Sequence, residues 1–190
     1  MTSRTLTLEP DNPVNTTLLD EDRKAIYVVE TEHKGPTTLT RVKDANGEVL
    51  ATLEWRDVLP DKVTIGKNAQ ISLSSCTVSF KDDVGRKYTW EGNGPGMQLQ
   101  LFAGDTSKTE PIARYVKSRK AIPGPSGRAA IPATIILAPR ALEIRDEVVM
   151  SCLFLEKTRR SNENSSQNFA DAYGTSESAP NFIAVQGGGV

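Results

Sequence analysis

Histidine and cysteine are nearly absent from this chain of 190 residues, which has one histidine and two cysteines. Structural zinc sites draw on about four Cys or His ligands, and triad-type nucleophilic catalysis leans on a histidine base. Both classes of enzyme therefore lose their raw material. His33 sits among Glu32, Lys34 and Gly35-Pro36 and reads as a surface loop residue, with no nucleophile at a recognisable spacing. Cys76 and Cys152 lie 76 positions apart with no C-x-x-C spacing. They read as two buried thiols in a reducing compartment, a disulfide between them being the alternative. Long apolar runs are missing too. The longest, Val148 to Leu155, covers eight residues, whereas a membrane-spanning helix needs about 20. The opening MTSRTLTLEPDNP lacks the apolar core of a secretory signal. The expectation is a cytoplasmic, non-enzymatic protein with no cofactor, no metal and no transmembrane segment.

Neither sign of charge is in excess. Lys and Arg number 23 against 24 Asp and Glu, a formal net charge of -1, which argues against coating nucleic acid by bulk charge. The balance hides a segregation. Residues 1–60 carry 7 basic and 11 acidic side chains, residues 61–140 carry 12 and 6, and residues 141–190 carry 4 and 7. Between Glu110 and Glu143 no acid occurs, while Arg114, Lys117, Arg119, Lys120, Arg128 and Arg140 all fall there.

What is present up to about residue 140 is period-two alternation broken by turn residues, the pattern of half-buried strands. Leu6 and Leu8 alternate with threonines, and β-branched and aromatic residues cluster in 26–30. The clearest hairpin joins 38–42 to 48–55 across Asn46-Gly47, a pair suited to the positive φ of a tight turn. Further strands are expected at 63–65, 71–73, 77–80, 87–90, 97–101, 112–116 and 133–137, with Asp82-Asp83-Val84-Gly85 as a turn. Short antiparallel strands at this spacing make a sandwich or a barrel. Trp55 and Trp90 fall on strands and read as core or interface.

The pattern changes at Asp146. Residues 146–157 begin with acids and lead into Lys157, Arg159 and Arg160, charges that suit the two ends of a helix dipole, with Asp146 as N-cap. Only Ser151 interrupts the apolar residues from Val148 to Leu155, so a helix here is buried on all sides. A fully buried strand is the alternative. From Ser161 the composition turns to Ser, Asn, Gly and Ala with three acids and no Lys or Arg. Residues 161–190 read as a disordered tail, with Phe169, Tyr173, Phe182 and Ile183 as points where protein partners could dock.

Strands followed by one wholly apolar helix resemble the tubby-like architecture of tubby proteins and phospholipid scramblases. More specifically the chain is similar to a family of uncharacterised domains in mushroom-forming fungi. The residues carrying the likeness are Asp11-Asn12-Pro13-Val14-Asn15-Thr16-Thr17-Leu18, Tyr27-Val28-Val29-Glu30-Thr31, Leu53-Glu54-Trp55, Tyr88-Thr89-Trp90 and Ile112-Ala113-Arg114. Asp146-Glu147-Val148-Val149 and Leu155-Glu156-Lys157 complete it. The resemblance implies a mainly β fold, a closed antiparallel β-barrel over 1–160 with a central buried hydrophobic C-terminal α-helix at about 146–159. It also implies a lipid-facing role, because tubby domains bind phosphoinositides through basic residues.

The acid-free stretch supplies the candidate site. Arg119-Lys120 leads into the flexible Pro123-Gly124-Pro125-Ser126-Gly127-Arg128, and a basic loop on a rigid sheet suits anionic headgroups or phosphate. Arg114, Lys117, Arg119, Lys120 and Arg128 are the candidate lipid- or phosphate-binding residues. Anionic membrane lipids at the surface are the expected partner, and a scaffold that recruits proteins is the alternative. Asp82-Asp83 has Lys81, Arg86 and Lys87 as neighbours and too few oxygens for calcium, so it reads as a turn. Gly92-Asn93-Gly94-Pro95-Gly96 lacks the Lys-Ser/Thr of a phosphate loop and is also a turn.

Overall fold

Alternation becomes strands wherever a turn residue frees the chain to reverse. The computed structural model describes residues 2–35, 37–56, 61–66, 71–72, 79–94, 96–104, 110–124 and 127–174. Its strands are β1 (Arg4–Glu9), β2 (Thr16–Leu19), β3 (Ala25–Lys34), β4 (Thr37–Asp44), β5 (Val49–Trp55) and β6 (Lys62–Ile65). Then follow β7 (Ile71–Ser72), β8 (Ser79–Lys81), β9 (Lys87–Glu91), β10 (Gln100–Ala103), β11 (Ala113–Val116) and β12 (Thr134–Leu137). Two helices close the order, α1 (Pro139–Leu142) and α2 (Arg145–Gly174). Cys76, the expected strand residues 73 and 77–78, Pro125-Ser126 and residues 175–190 lie outside the described residues.

The expected hairpin is β4–β5. Of Asn46 and Gly47, only Gly47 takes a positive φ, 84°. The Asp44 carboxylate accepts the Asn46 and Glu48 amides at 2.9 and 2.8 Å, and the register shifts by a bulge at Val42/Lys43. On the inner face Ala51 and Leu53 are buried and Trp55 is half-buried. The second turn works the same way: Asp82 Oδ1 accepts the amides of Val84 and Arg86, its Oδ2 accepts the Tyr88 hydroxyl, and Gly85 takes φ 83°. That carboxylate is spent on the turn.

All strands join one antiparallel sheet in the order β7-β6-β5-β4-β3-β2-β1-β12-β11-β10-β9-β8. The expected closed barrel is corrected here. The ladder ends at β7 on one side and β8 on the other, and among the described residues nothing pairs these two, so the sheet is open. The reason is local. β7 contributes two residues and β8 three, and alternation reports how many strands exist without stating that the first edge meets the last.

The open sheet nevertheless curls around α2. Val148 to Glu156 are all buried, and side chains from four strands reach the helix. Trp90 of β9 donates its indole N–H to Ser151 Oγ at 2.8 Å, and Ser151 passes its own hydrogen to the Glu147 carbonyl at 2.6 Å. The one hydroxyl in the apolar run is thereby satisfied. Tyr27 of β3 donates its hydroxyl to Asp146 and accepts Arg145 Nε at 2.7 Å. Burial and then the Asp146 carboxylate push that phenol's pKa up. Lys157 Nζ lies 4.2 Å from the centre of the Trp55 ring on β5 and pairs with Asp61. Tyr115 of β11 meets Arg160.

Two boundaries differ from the sequence reading. The helix starts at Arg145, so Asp146 sits in its first turn, where the dipole still favours an anion. It also runs on to Gly174, through residues expected to begin a disordered tail. Arg159 and Arg160 are therefore mid-helix and do not serve its C-terminal dipole. Among the described residues no helix is long and apolar enough to cross a membrane. Cys152 is a free, fully buried thiol whose pKa burial raises well above normal, an inert setting.

Candidate functional site

Strands β11 and β12 are antiparallel neighbours, and of the chain between them residues 119–124 and 127–132 are exposed and form an arm. Two rungs hold it. Arg119 and Ile131 exchange both backbone hydrogen bonds at 2.9 Å, and Ile122 and Arg128 exchange theirs at 3.0 and 3.1 Å. Gly127 amide donates to Gly124 carbonyl at 2.9 Å near the tip. A Cβ on Gly127 would stand 2.4 Å from the Ile122 carbonyl oxygen, so the return strand needs a residue without one.

Residues opposed in an antiparallel pair project to the same side. Each rung therefore sets one arginine beside one isoleucine. Ile122 is 59% exposed and Ile131 44% exposed, a poor arrangement for residues that have only water to meet. Arg119, Lys120 and Arg128 are exposed, and no carboxylate pairs with them among the described residues.

The five candidate residues thus do not form one site. Arg119, Lys120 and Arg128 share the arm. Arg114 lies outward on β11, opposite Ile136 of β12 and Gln100 of β10, beside a shallow depression with Glu110 and Pro111. Lys117 is drawn the other way, donating to Glu163 Oε2 of α2 at 3.1 Å.

Lys117 belongs to a charge network that the sequence reading missed. At its centre is Glu156, fully buried. Arg159, 3% exposed, donates to it through Nε and Nη2, both at 2.8 Å, and Arg160 Nε donates to it at 2.7 Å. Arg160 also reaches the Tyr115 hydroxyl at 2.7 Å, the Asp11 carbonyl at 3.0 Å and the Asp11 carboxylate. Ser118 donates to that same carboxylate. Arg159 Nη1 continues to Glu163 Oε1 at 2.7 Å. Burial pushes the Tyr115 phenol's pKa up, with the Glu156 charge adding to it. Asp11 and Arg160 are 149 positions apart, so no local spacing announces the pair. The usable signal is Glu156 itself, one turn past Cys152 at the end of an apolar run with no wet face.

Burial alone would raise the Asp11 carboxyl, but the hydrogen bonds from Ser118 and Arg160 outweigh it and hold its pKa below the usual aspartate range. A carboxyl depressed in the folded state adds stability above its unfolded pKa and loses it as pH falls through the folded one. Asp11→Asn should therefore flatten the acid limb of stability below about pH 4. Urea midpoints for both proteins from pH 7 down to pH 2.5 check this. Parallel curves would refute the assignment.

Beside the network lies a cavity of about 420 Å³. Lys117, Ser118, Arg119, Arg159 and Tyr115 line one side, and Gly96 to Leu99 line the other. Met97 at its rim is 59% exposed. The 92–98 turn is fixed by Gly92 at φ 81°, where a Cβ would stand 1.9 Å from the Gln98 carbonyl oxygen. Only a glycine lets these two backbone segments meet.

A family model described as a family of unknown function, DUF6593, matches residues 11–161. The expected uncharacterised domain is met at that level. No curated protein matches the chain. A solved structure of a protein from Arabidopsis thaliana is 14% identical over 80% of this chain and 91% of that one, with a TM-score of 0.35.

Proposed function

The chain belongs to the DUF6593 family of unknown function, and since that premise brings no activity with it, we propose a non-enzymatic module that holds anionic phospholipid headgroups through the arm that carries Arg119, Lys120 and Arg128. One observation carries the reading: both rungs of the arm set an arginine, with no carboxylate partner among the described residues, beside an exposed isoleucine. Aliphatic side chains among cations suit the boundary between headgroups and acyl chains. Each cation near an anionic leaflet contributes about 1 kcal/mol, screened by salt. The resemblance to domains of mushroom-forming fungi brings no activity, and the wider resemblance to tubby domains, which bind phosphoinositides through basic residues, supports the lipid side of this reading. The place it implies is the cytoplasmic face of a membrane.

Co-sedimentation with vesicles tests it. The full chain should bind vesicles containing phosphatidylserine, release them as salt rises, and ignore phosphatidylcholine. Arg119→Glu with Lys120→Glu should cut binding at least about tenfold, since two reversed charges change four units of attraction. Equal sedimentation of the variant would remove the arm as the site.

A further inference from the structure

Glu163 occupies a place built for an anion. Its carboxylate accepts three donors of different kinds: the Gly96 backbone N–H at 3.3 Å, Lys117 Nζ at 3.1 Å and Arg159 Nη1 at 2.7 Å. Burial would raise its pKa, yet the Gly96 and Lys117 hydrogen bonds leave it lowered. All three donors line the cavity at the arm's base. A backbone amide, an ammonium and an arginine fork converging on one spot are the usual components of a phosphate or carboxylate cradle.

Here the anion is supplied from the chain's own helix. We propose that this cavity is a binding site for a phosphate monoester or a similar oxyanion, whose donors Gly96, Lys117 and Arg159 are occupied by Glu163 as an internal stand-in.

Charge arithmetic supports the ligand class. Asp11 and Glu156 balance Arg159 and Arg160, and Glu163 balances Lys117. Arg119, on the cavity wall, has no carboxylate partner among the described residues. Withdrawing Glu163 leaves two uncompensated cations, Lys117 and Arg119, which match a dianion. A cavity of about 420 Å³ falls in the range of small-molecule sites, about 300–1,000 Å³.

The turn of α2 that carries Glu163 is polar. Past Arg160, residues Ser161, Asn162, Asn164 and Ser165 are exposed. Ser and Asn are indifferent helix formers, and a polar turn without a buried face frays at small cost. The family match ends at residue 161, so it includes every donor and stops short of the carboxylate. The proposal shares Arg119 with the arm but does not rest on lipid binding there.

An internal anion on the donors lowers apparent affinity by the fraction of time they are vacated. Titrated with inorganic phosphate, the full-length Glu163→Gln variant should bind about tenfold more tightly than wild type. Adding Lys117→Gln should return the affinity to wild type or below. Equal affinity of Glu163→Gln and wild type would overturn the proposal, as would a gain that survives Lys117→Gln. In wild type the Gly96 amide resonance should move saturably with phosphate whatever the variants do, and a stationary Gly96 overturns it as well.

Vesicles carrying phosphatidic acid separate the two sources of the anion. A Glu163→Gln gain on free phosphate that is larger still on those vesicles assigns a headgroup, and one on free phosphate with none on the vesicles assigns a soluble ligand. Lys120→Glu with Arg128→Glu lies outside the cavity, so it should weaken vesicle binding and leave phosphate affinity unchanged. The arm and the cavity can thus fail separately.

Discussion

Leu153→Asp should leave no folded protein at 25 °C. Leu153 is 1% exposed, and Val149, Cys152 and Phe154 around it on α2 are wholly buried. Removing a buried leucine costs about 2–5 kcal/mol by itself. A carboxylate left in the same apolar space adds several kcal/mol more, or forces its own protonation. A domain of this size holds about 5–15 kcal/mol in total, so the sum exhausts it. Far-ultraviolet circular dichroism with a thermal melt checks the outcome. A wild-type melting temperature would mean that α2 is not the core.

Glu156→Ala should be nearly as damaging, for a different reason. It removes the carboxylate that both Arg159 and Arg160 address. Arg159 is 3% exposed and would keep only Glu163 as a carboxylate partner. Breaking a buried ion pair from one side costs about 3–5 kcal/mol, because the surviving charge stays desolvated. Replacing both partners by apolar residues avoids that penalty. Glu156→Leu with Arg159→Met should recover more than half of the lost stability in urea unfolding. If the double variant is no better than Glu156→Ala, the loss is one of packing and the charge argument fails.

These two residues also mark what a sequence discloses and what it withholds. The run Val148 to Leu155 discloses a buried helix, because nothing in it can face water. The strands disclose themselves through alternation, and Asp82 and Gly47 through local turn chemistry. Closure was misread because the edges β7 and β8 are set by two- and three-residue pairings, too short to leave a pattern. The basic residues 114–128 form one cluster in sequence. Alternate positions on β11 and the pull of Glu163 distribute them over three surroundings. Glu156, Arg159 and Arg160 look like charges at a helix end only while the helix is taken to stop there. Continuing to Gly174 turns them inward, and their partner Asp11 comes from the other end of the domain.

The pairing of β1 with β12 has a bearing on the order of assembly. Leu6 lies across from Ile135, so a chain made from its N-terminus holds β1 and its meander partners with one flank unpaired until residue 137 has been synthesised. The helix that fills the sheet follows after that. Local hairpins such as β3–β4 form early, because loop closure is cheap at short separation. The β1–β12 ladder and the helix cannot. Contacts this distant in sequence slow folding, and a half-built sheet displays unpaired strand and apolar surface while it waits. For this molecule the interval before residues 134–156 are made is the period of greatest exposure to aggregation.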